Sequence, residues 1–201
     1  MSEQLLQVFA KAPVAGFVKT RLIADIGEQA AYEVYMQLLK QTLQLAADHT
    51  SITQLYCAPD TQHEFFKHCV QRYSLELCSQ SGGDLGSRML TALQQGLKTH
   101  QKVVLIGSDC PALTSSYLDQ ALNALESVDV VLGPAEDGGF VLIACRATQL
   151  GMFDGVHWGD SRVLECTLDA LNAAGLKHDL LTTLWDVDRV DDLRRWQGMP
   201  E

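Results

Sequence analysis

Short apolar runs rich in β-branched residues alternate along the chain with longer stretches whose apolar positions recur every three or four residues. The first pattern suits strands and the second amphipathic helices, so their alternation predicts parallel strands joined by crossover helices. A first strand is expected over residues 5–10, then a loop of Lys, Pro and Gly. A long helix over 28–48 follows, its apolar stripe marked by Ala30, Val34, Leu38 and Leu45. A strand over 53–57, a helix over 62–71, a strand over 74–78 and a helix over 85–97 come next. The unbroken apolar run over 102–106 reads as a central strand buried on both faces; Pro111 stops it, and Thr114 or Ser115 can cap the next helix. Two further strands, 129–132 and 140–145, are joined by GPAEDGG. That connection is too short for a crossover helix, which predicts one antiparallel pair in a parallel sheet. A loop through Trp158, a helix over 161–174, a strand over 179–181 and a helix after Asp191 complete the pattern. The expected architecture is α/β: a three-layer α/β/α sandwich around a mixed, mostly parallel sheet.

Length and composition narrow the function classes. At 201 residues the chain fits one domain over 1–201, long enough to cover a sheet on both faces. A formal charge of -10 excludes a broad nucleic-acid footprint, so any phosphate chemistry has to use a local basic cluster. No apolar run approaches the ~18 residues needed to span a bilayer. Six cysteines without a CxxC pair, and no charged leader before an apolar core, point to reduced thiols and a cytoplasmic location.

The chemistry-bearing segments sit at expected strand ends, where open α/β sheets bind ligands. FAKAPVAGFVKTRL sets Lys11, Lys19 and Arg21 around Pro13 and Gly16. Gly lets backbone N–H groups approach phosphate oxygens, Lys supplies a point charge and Arg a bidentate fork, although a solvated basic loop would look the same. It lacks the residues of both the dinucleotide fingerprint and the GxxxxGK[ST] phosphate loop. GSDCP puts Asp109 at the exit of the most apolar strand, either as a ligand for a hard cation such as Mg²⁺ or as a turn residue before Pro111. GPAEDGG offers Glu136 and Asp137 with Gly138 and Gly139 permitting close approach, or is a plain Asp-Gly turn. WDVD holds Asp186 and Asp188 two residues apart, on one face if extended, or is a solvated turn. SGGDLGSR brings Asp84 and Arg88 to a helix start, as a base-recognition loop or a surface pair. The six dispersed histidines show no zinc spacing and most are expected at the surface; Ser108 and the cysteines lack a nucleophile setting, with Cys110 packing beside the site.

Taken in order, FAKAPVAGFVKTRL, SGGDLGSRM, VVLIGSDCPALT, VVLGPAEDGGFVLIAC and WDVD resemble the DUF2064 family of bacterial glycosyltransferase-like proteins, over nearly the whole chain. The resemblance implies the nucleotide-diphospho-sugar transferase (GT-A) fold and a distant likeness to 2-phospholactate and molybdenum-cofactor guanylyltransferases. It implies a nucleotide-binding set of Lys11, Gly16, Lys19, Thr20, Arg21, Gly83, Asp84, Arg88 and Ser108. Asp109 and Asp188 would hold Mg²⁺ or Mn²⁺; Asp109, Lys19 and Asp137 would be catalytic; and Gly138, Gly139, Phe140, Trp158 and Asp186 would face the acceptor. Phe140, where Tyr is common, and WGDS at 158–161, where a WST-like stretch is usual, depart from the family on that acceptor side. The expected activity is metal-assisted transfer from a nucleotide sugar to a small-molecule acceptor. Nucleotidyl transfer with release of pyrophosphate and a non-catalytic nucleotide-binding module are its rivals.

Overall fold

The computed structural model describes residues 3–49 and 52–198. Strand β1 (Gln4–Lys11) leads through a 3₁₀ turn (Thr20–Leu22) and a short helix α1 (Ile23–Ile26) into α2 (Glu28–Asp48). Then come β2 (Ile52–Ala58), α3 (Glu64–Tyr73), β3 (Glu76–Ser79), α4 (Leu85–Leu97), β4 (Lys102–Ile106) and α5 (Ser115–Ala124). The chain closes with β5 (Val130–Pro134), β6 (Phe140–Cys145), α6 (Val163–Ala173), β7 (His178–Leu180) and α7 (Val190–Gln197). The strands form one sheet in the order β3-β2-β1-β4-β6-β5-β7. All neighbours are parallel except that β6 runs antiparallel to both β4 and β5. The expectation of one antiparallel pair is therefore corrected. After the α5 crossover the chain skips one position, and the hairpin return drops β6 into the gap, making two antiparallel pairs.

Period-2 alternation divides the core between two faces. From β1, Leu6, Val8 and Ala10 join Val104 and Ile106 under α2, α3 and α5, while Leu5 and Phe9 join Val103 and Leu105 under α4 and α6. These helices make the two outer layers of the α/β/α sandwich. A third cluster lies outside the sheet: Leu22, Ala31, Val34 and Leu38 pack with Trp185, Val187 and Leu193. Helix α2 thus buries two stripes, Tyr35, Leu39, Leu43 and Ala46 against the sheet and Ala31, Val34 and Leu38 against the C-terminal segment. Of the single stripe expected, Val34 and Leu38 are buried, whereas Ala30 and Leu45 are only partly buried and Ala31 and Ala46 take the buried positions beside them.

Caps explain the shifted boundaries. His63 caps α3, its Nδ1 accepting from the Phe65 N–H at 3.3 Å, so that helix starts after residue 62. Ser74 sits in the left-handed region at φ 52, which ends α3 and delays β3. Thr114 caps α5 by accepting from the Tyr117 N–H at 3.2 Å. His49, expected at the surface, is buried with Nε2 3.1 Å from Asp119. Among the described residues no helix is long and apolar enough to cross a membrane. The segments after β1, β3, β4, β5 and β7 leave the sheet at the same, carboxyl end of its parallel strands, and the basic loop, SGGDLGSR, GSDCP, GPAEDGG and WDVD lie on them.

Candidate active site

The basic loop leaves β1 under a clamp. The buried Tyr35 hydroxyl accepts from the Lys11 N–H at 2.9 Å and donates to the Lys11 carbonyl at 2.8 Å, fixing the backbone where the loop begins. Burial holds the Tyr35 phenol protonated, above its ordinary pKa. Gly16 turns the loop at φ +80, and Lys19 adopts φ 45, a left-handed conformation that costs a non-glycine residue about 1 kcal/mol or more. Val18 and Leu22 are buried on either side, so packing pins the strained residue in place. The Lys19 side chain is 6% exposed and its Nζ lies 3.0 Å from Asp109 Oδ2. Two residues on, Arg21 Nη1 bonds Asp188 Oδ2.

The acidic wall is built by the same alternation that builds strands. In WDVD, Trp185 and Val187 are buried in the third cluster, which turns Asp186 and Asp188 together towards the opposite side. The Val187 N–H donates to the Asp109 carbonyl at 3.0 Å, tying this segment to the exit of β4. Arg195 locks it from behind: its guanidinium lies 4.3 Å over the Trp185 ring and bonds Glu136 Oε2 at 2.8 Å. Glu136 is therefore spent on architecture, whereas Asp137 stays at the cavity, accepting from the Gly139 N–H at 2.9 Å. Burial, followed by the negative charges of Asp109 and Asp137, pushes Asp186 up to about 7, against the opposing pull of Lys19.

A cavity of ≈ 400 Å³ collects Arg21, Asp109, Asp137, Gly139, Phe140, Trp158, Asp186 and Asp188. Its apolar side is aromatic: Phe140 and Phe153 meet Trp158 edge-on, with ring centroids 6.2 and 5.7 Å away. A second cavity of ≈ 420 Å³ abuts it through Arg21, Asp109 and Asp188 and holds Lys11, Lys19, Thr20 and Ser108. A third, of ≈ 540 Å³, continues along Lys11 and Phe17 to Arg88. Gly16, Gly83, Asp84 and Gly138 line none of the three. Asp84 caps α4, accepting from the Ser87 N–H at 2.7 Å, which lowers its pKa; Arg88 bonds the Gly82 carbonyl instead of Asp84. Gly138, at φ +89, is needed because a Cβ there would strike the Ser161 carbonyl, so its small size serves the approach of protein backbone. Sequence reasoning overlooked Phe9, Tyr35, Gln80 and Arg189, which line these cavities; Phe9, Gln80 and Arg189 stand within or beside quoted motifs without a spacing that marks them, and Tyr35 lies on helix α2.

A cation fits this set in one way. Among the described residues no three Asp, Glu, His or Cys side chains converge as a cage. Asp109, Asp137 and Asp186 nevertheless line one cavity wall, and burial, then the charges of Asp109 and Asp137, raises the pKa of Asp186. Mg²⁺ or Mn²⁺, which takes one or two carboxylates and completes its shell with phosphate oxygens and water, suits such a wall.

The mixed seven-stranded sheet and the crevice at its strand ends define a nucleotide-diphospho-sugar transferase-like fold. Residues 41–160 match the family described as uncharacterized proteins conserved in bacteria, DUF2064, and the chain belongs to that family. A candidate nucleotide-diphospho-sugar transferase from Desulfovibrio desulfuricans G20 is 32% identical, with a TM-score of 0.89 over 98% of this chain and 87% of that one. The synthetase of CMP:2-keto-3-deoxy-manno-octonic acid, complexed with CTP, superposes with TM-score 0.60 at 10% identity, covering 98% of each chain. Rv0371c of Mycobacterium tuberculosis H37Rv, complexed with manganese, gives TM-score 0.58 at 14% identity over 98% of this chain and 100% of that one. At those two identities the likeness is one of fold. No curated protein matches the sequence. The neighbour at 32% identity, a candidate transferase, supports placing the chain among nucleotide-using transferases.

Proposed function

We propose that the protein is a metal-dependent glycosyltransferase that moves a sugar from a nucleotide-sugar donor to a small hydroxylated acceptor. The observation that carries this reading is the division of the crevice. Of the two abutting cavities, Lys11 and Lys19 line only the one at the loop side, Asp137, Asp160, Asp186, Phe140 and Trp158 only the one beyond Asp109, and Arg21 stands where the two meet. A nucleotide sugar is itself divided in this way, with a charged nucleoside diphosphate as one part and a neutral polyol as the other. Carboxylates accept hydrogen bonds from sugar hydroxyls, and aromatic rings cover the apolar faces of the sugar. The same carboxylates oppose a phosphorylated acceptor, which nucleotidyl transfer would require. The neighbour at 32% identity, itself a candidate nucleotide-diphospho-sugar transferase, supports the choice.

Asp109 and Asp188 would hold Mg²⁺ or Mn²⁺ against the donor diphosphate, and the ion would neutralise charge as the diphosphate departs. Lys19 and Arg21 exchange their present carboxylate partners for phosphate oxygens and stabilise that same charge. The acceptor hydroxyl oxygen bonds to the anomeric carbon as the anomeric C–O bond to phosphate breaks. The leaving nucleoside diphosphate takes the electron pair, and the hydroxyl proton passes to an Asp137 carboxylate oxygen. Incubation with nucleotide sugars, Mn²⁺ and a panel of neutral sugar acceptors is expected to release nucleoside diphosphate without pyrophosphate. Consumption of a nucleoside triphosphate with release of pyrophosphate would overturn glycosyl transfer in favour of nucleotidyl transfer.

A further inference from the structure

Beyond the diphosphate groups, the third cavity is an apolar slot formed by Val14, Phe17, Ala58 and Pro59. The Phe17 ring is 76% exposed and has a wall but no cover. Such a surface receives a flat ring, because base–aromatic stacking works for any base. Specificity then rests on the polar groups at the rim. Lys11 and Arg88 can only donate, and Gln80 is the remaining polar side chain.

Gln80 is held in one orientation. Its backbone N–H donates to the Cys57 carbonyl at 3.0 Å, which fixes the residue beside the end of β2. Its side-chain Nε2 donates to the Tyr56 carbonyl at 2.9 Å and the Ala10 carbonyl at 3.3 Å, consuming both amide hydrogens. Exchanging the amide O and N would set an oxygen against two carbonyls, so the network dictates the assignment. Oε1 consequently accepts from no group among the described residues, and it is not among their buried atoms that lack a partner. Gln80 borders both the slot and the adjoining phosphate-side cavity, where a base attached to a bound nucleoside diphosphate would present its edge.

We infer that Gln80 is a specificity-determining residue whose fixed Oε1 selects donors with an exocyclic amino group on the base. A free amide reads both an N–H and a carbonyl of a base. This one has no hydrogen left and behaves as a bare acceptor, as a carboxylate does toward the cytosine amino group. The amino groups of cytosine and adenine project from the ring and satisfy a bare acceptor. In uracil and hypoxanthine a carbonyl stands at the same position and faces Oε1 lone pair to lone pair.

This inference rests on the nucleotide reading above, and paired ligands separate the two. The measurement is calorimetric titration of the full chain, with Mn²⁺, by CDP against UDP and ADP against IDP, each pair differing only in amino versus carbonyl. In the pair that binds, the amino member is expected to bind at least about fivefold tighter, the scale of one buried hydrogen bond lost and an acceptor left unpaired. Gln80→Met should collapse that ratio towards one, while Phe17→Ala, at an exposed position, should weaken both members by a common factor. If Gln80→Met does not fold, the wild-type ratios decide alone. Nucleotide binding with ratios near one, with the carbonyl member preferred, or with ratios that survive in Gln80→Met overturns the inference and leaves the nucleotide reading standing. No binding by any of the four overturns both.

Discussion

The two walls of the crevice are made by different means. The loop-side wall is a strained backbone held by packing: Tyr35 clamps Lys11, buried Val18 and Leu22 bracket Lys19 at φ 45, and the cations stand on the segment so fixed. The WDVD part of the acidic wall is extended chain: alternation buries Trp185 and Val187 and presents Asp186 and Asp188 without any left-handed residue. Strain localises charge at one point, whereas alternation repeats it along a face. A charged phosphate needs the first, and a substrate with several hydroxyls is met by the second. The walls share one anchor, the cluster in which Leu22 of the loop packs with Trp185 and Val187.

The shared anchor is where the contrast breaks most completely. Leu22 is fully buried, so Leu22→Ala is expected to cost about 2–5 kcal/mol and to disorder both walls together. A chemical denaturation midpoint checks the first effect, and loss of both nucleotide and acceptor binding the second. Gly138→Ala comes next and strikes only the acidic side. A Cβ at φ +89 against the Ser161 carbonyl is expected to cost about 2–3 kcal/mol and to raise the acceptor KM while nucleotide affinity holds. Lys19→Ala strikes only the loop side and should weaken nucleotide binding by about 1–3 kcal/mol in calorimetry, the range for losing a charged hydrogen bond. The left-handed strain at position 19 stays in the variant, since alanine keeps the Cβ, and it is common to the free and bound states.

The smallest effect sharpens the account of the acidic wall. Asp186 binds its proton more tightly in the folded chain, up to about 7, than the ordinary carboxylate does in the unfolded one. Folding stability is therefore lost as pH rises from about 4 through 7, and the full cost is present above 7. Asp186→Asn should raise the thermal midpoint at pH 8, by about 1 kcal/mol once screening of a half-buried group is allowed for, and leave it unchanged at pH 4. An equal gain at both pH values would remove the burial of a charged carboxylate beside Asp109 and Asp137 as the cause.

Most of the fold is legible in the residues because each element obeys one dominant period. The α2 boundaries and the central position of β4 follow from helix and strand spacing, and the alternating acids of WDVD follow from period 2. The insertion of β6 between β4 and β5 is not legible, since a hairpin looks the same whichever side of its partner it returns on. In the site, the glycines are hardest to read: Gly138 is small to admit the Ser161 backbone, and Gly83 and Gly16 lie in loops whose neighbouring residues, not the glycines, line the cavities. Asp84 and Glu136 carry charge that is spent on a helix cap and on Arg195, a choice set by tertiary neighbours. Gln80 and Tyr35 acquire meaning only from carbonyls and N–H groups brought from distant strands.

The central claim is that one donor spans the two walls, its diphosphate on Lys19 and Arg21 and its metal on Asp109. The most direct measurement is calorimetric binding of nucleotide sugars to the wild-type chain and to Asp109→Asn, with and without Mn²⁺. The account predicts binding that strengthens at least tenfold with Mn²⁺ in the wild type, about 1.4 kcal/mol, and that no longer responds to the ion in Asp109→Asn. Nucleotide-sugar affinity that is indifferent to Mn²⁺ and unaltered by Asp109→Asn would contradict it.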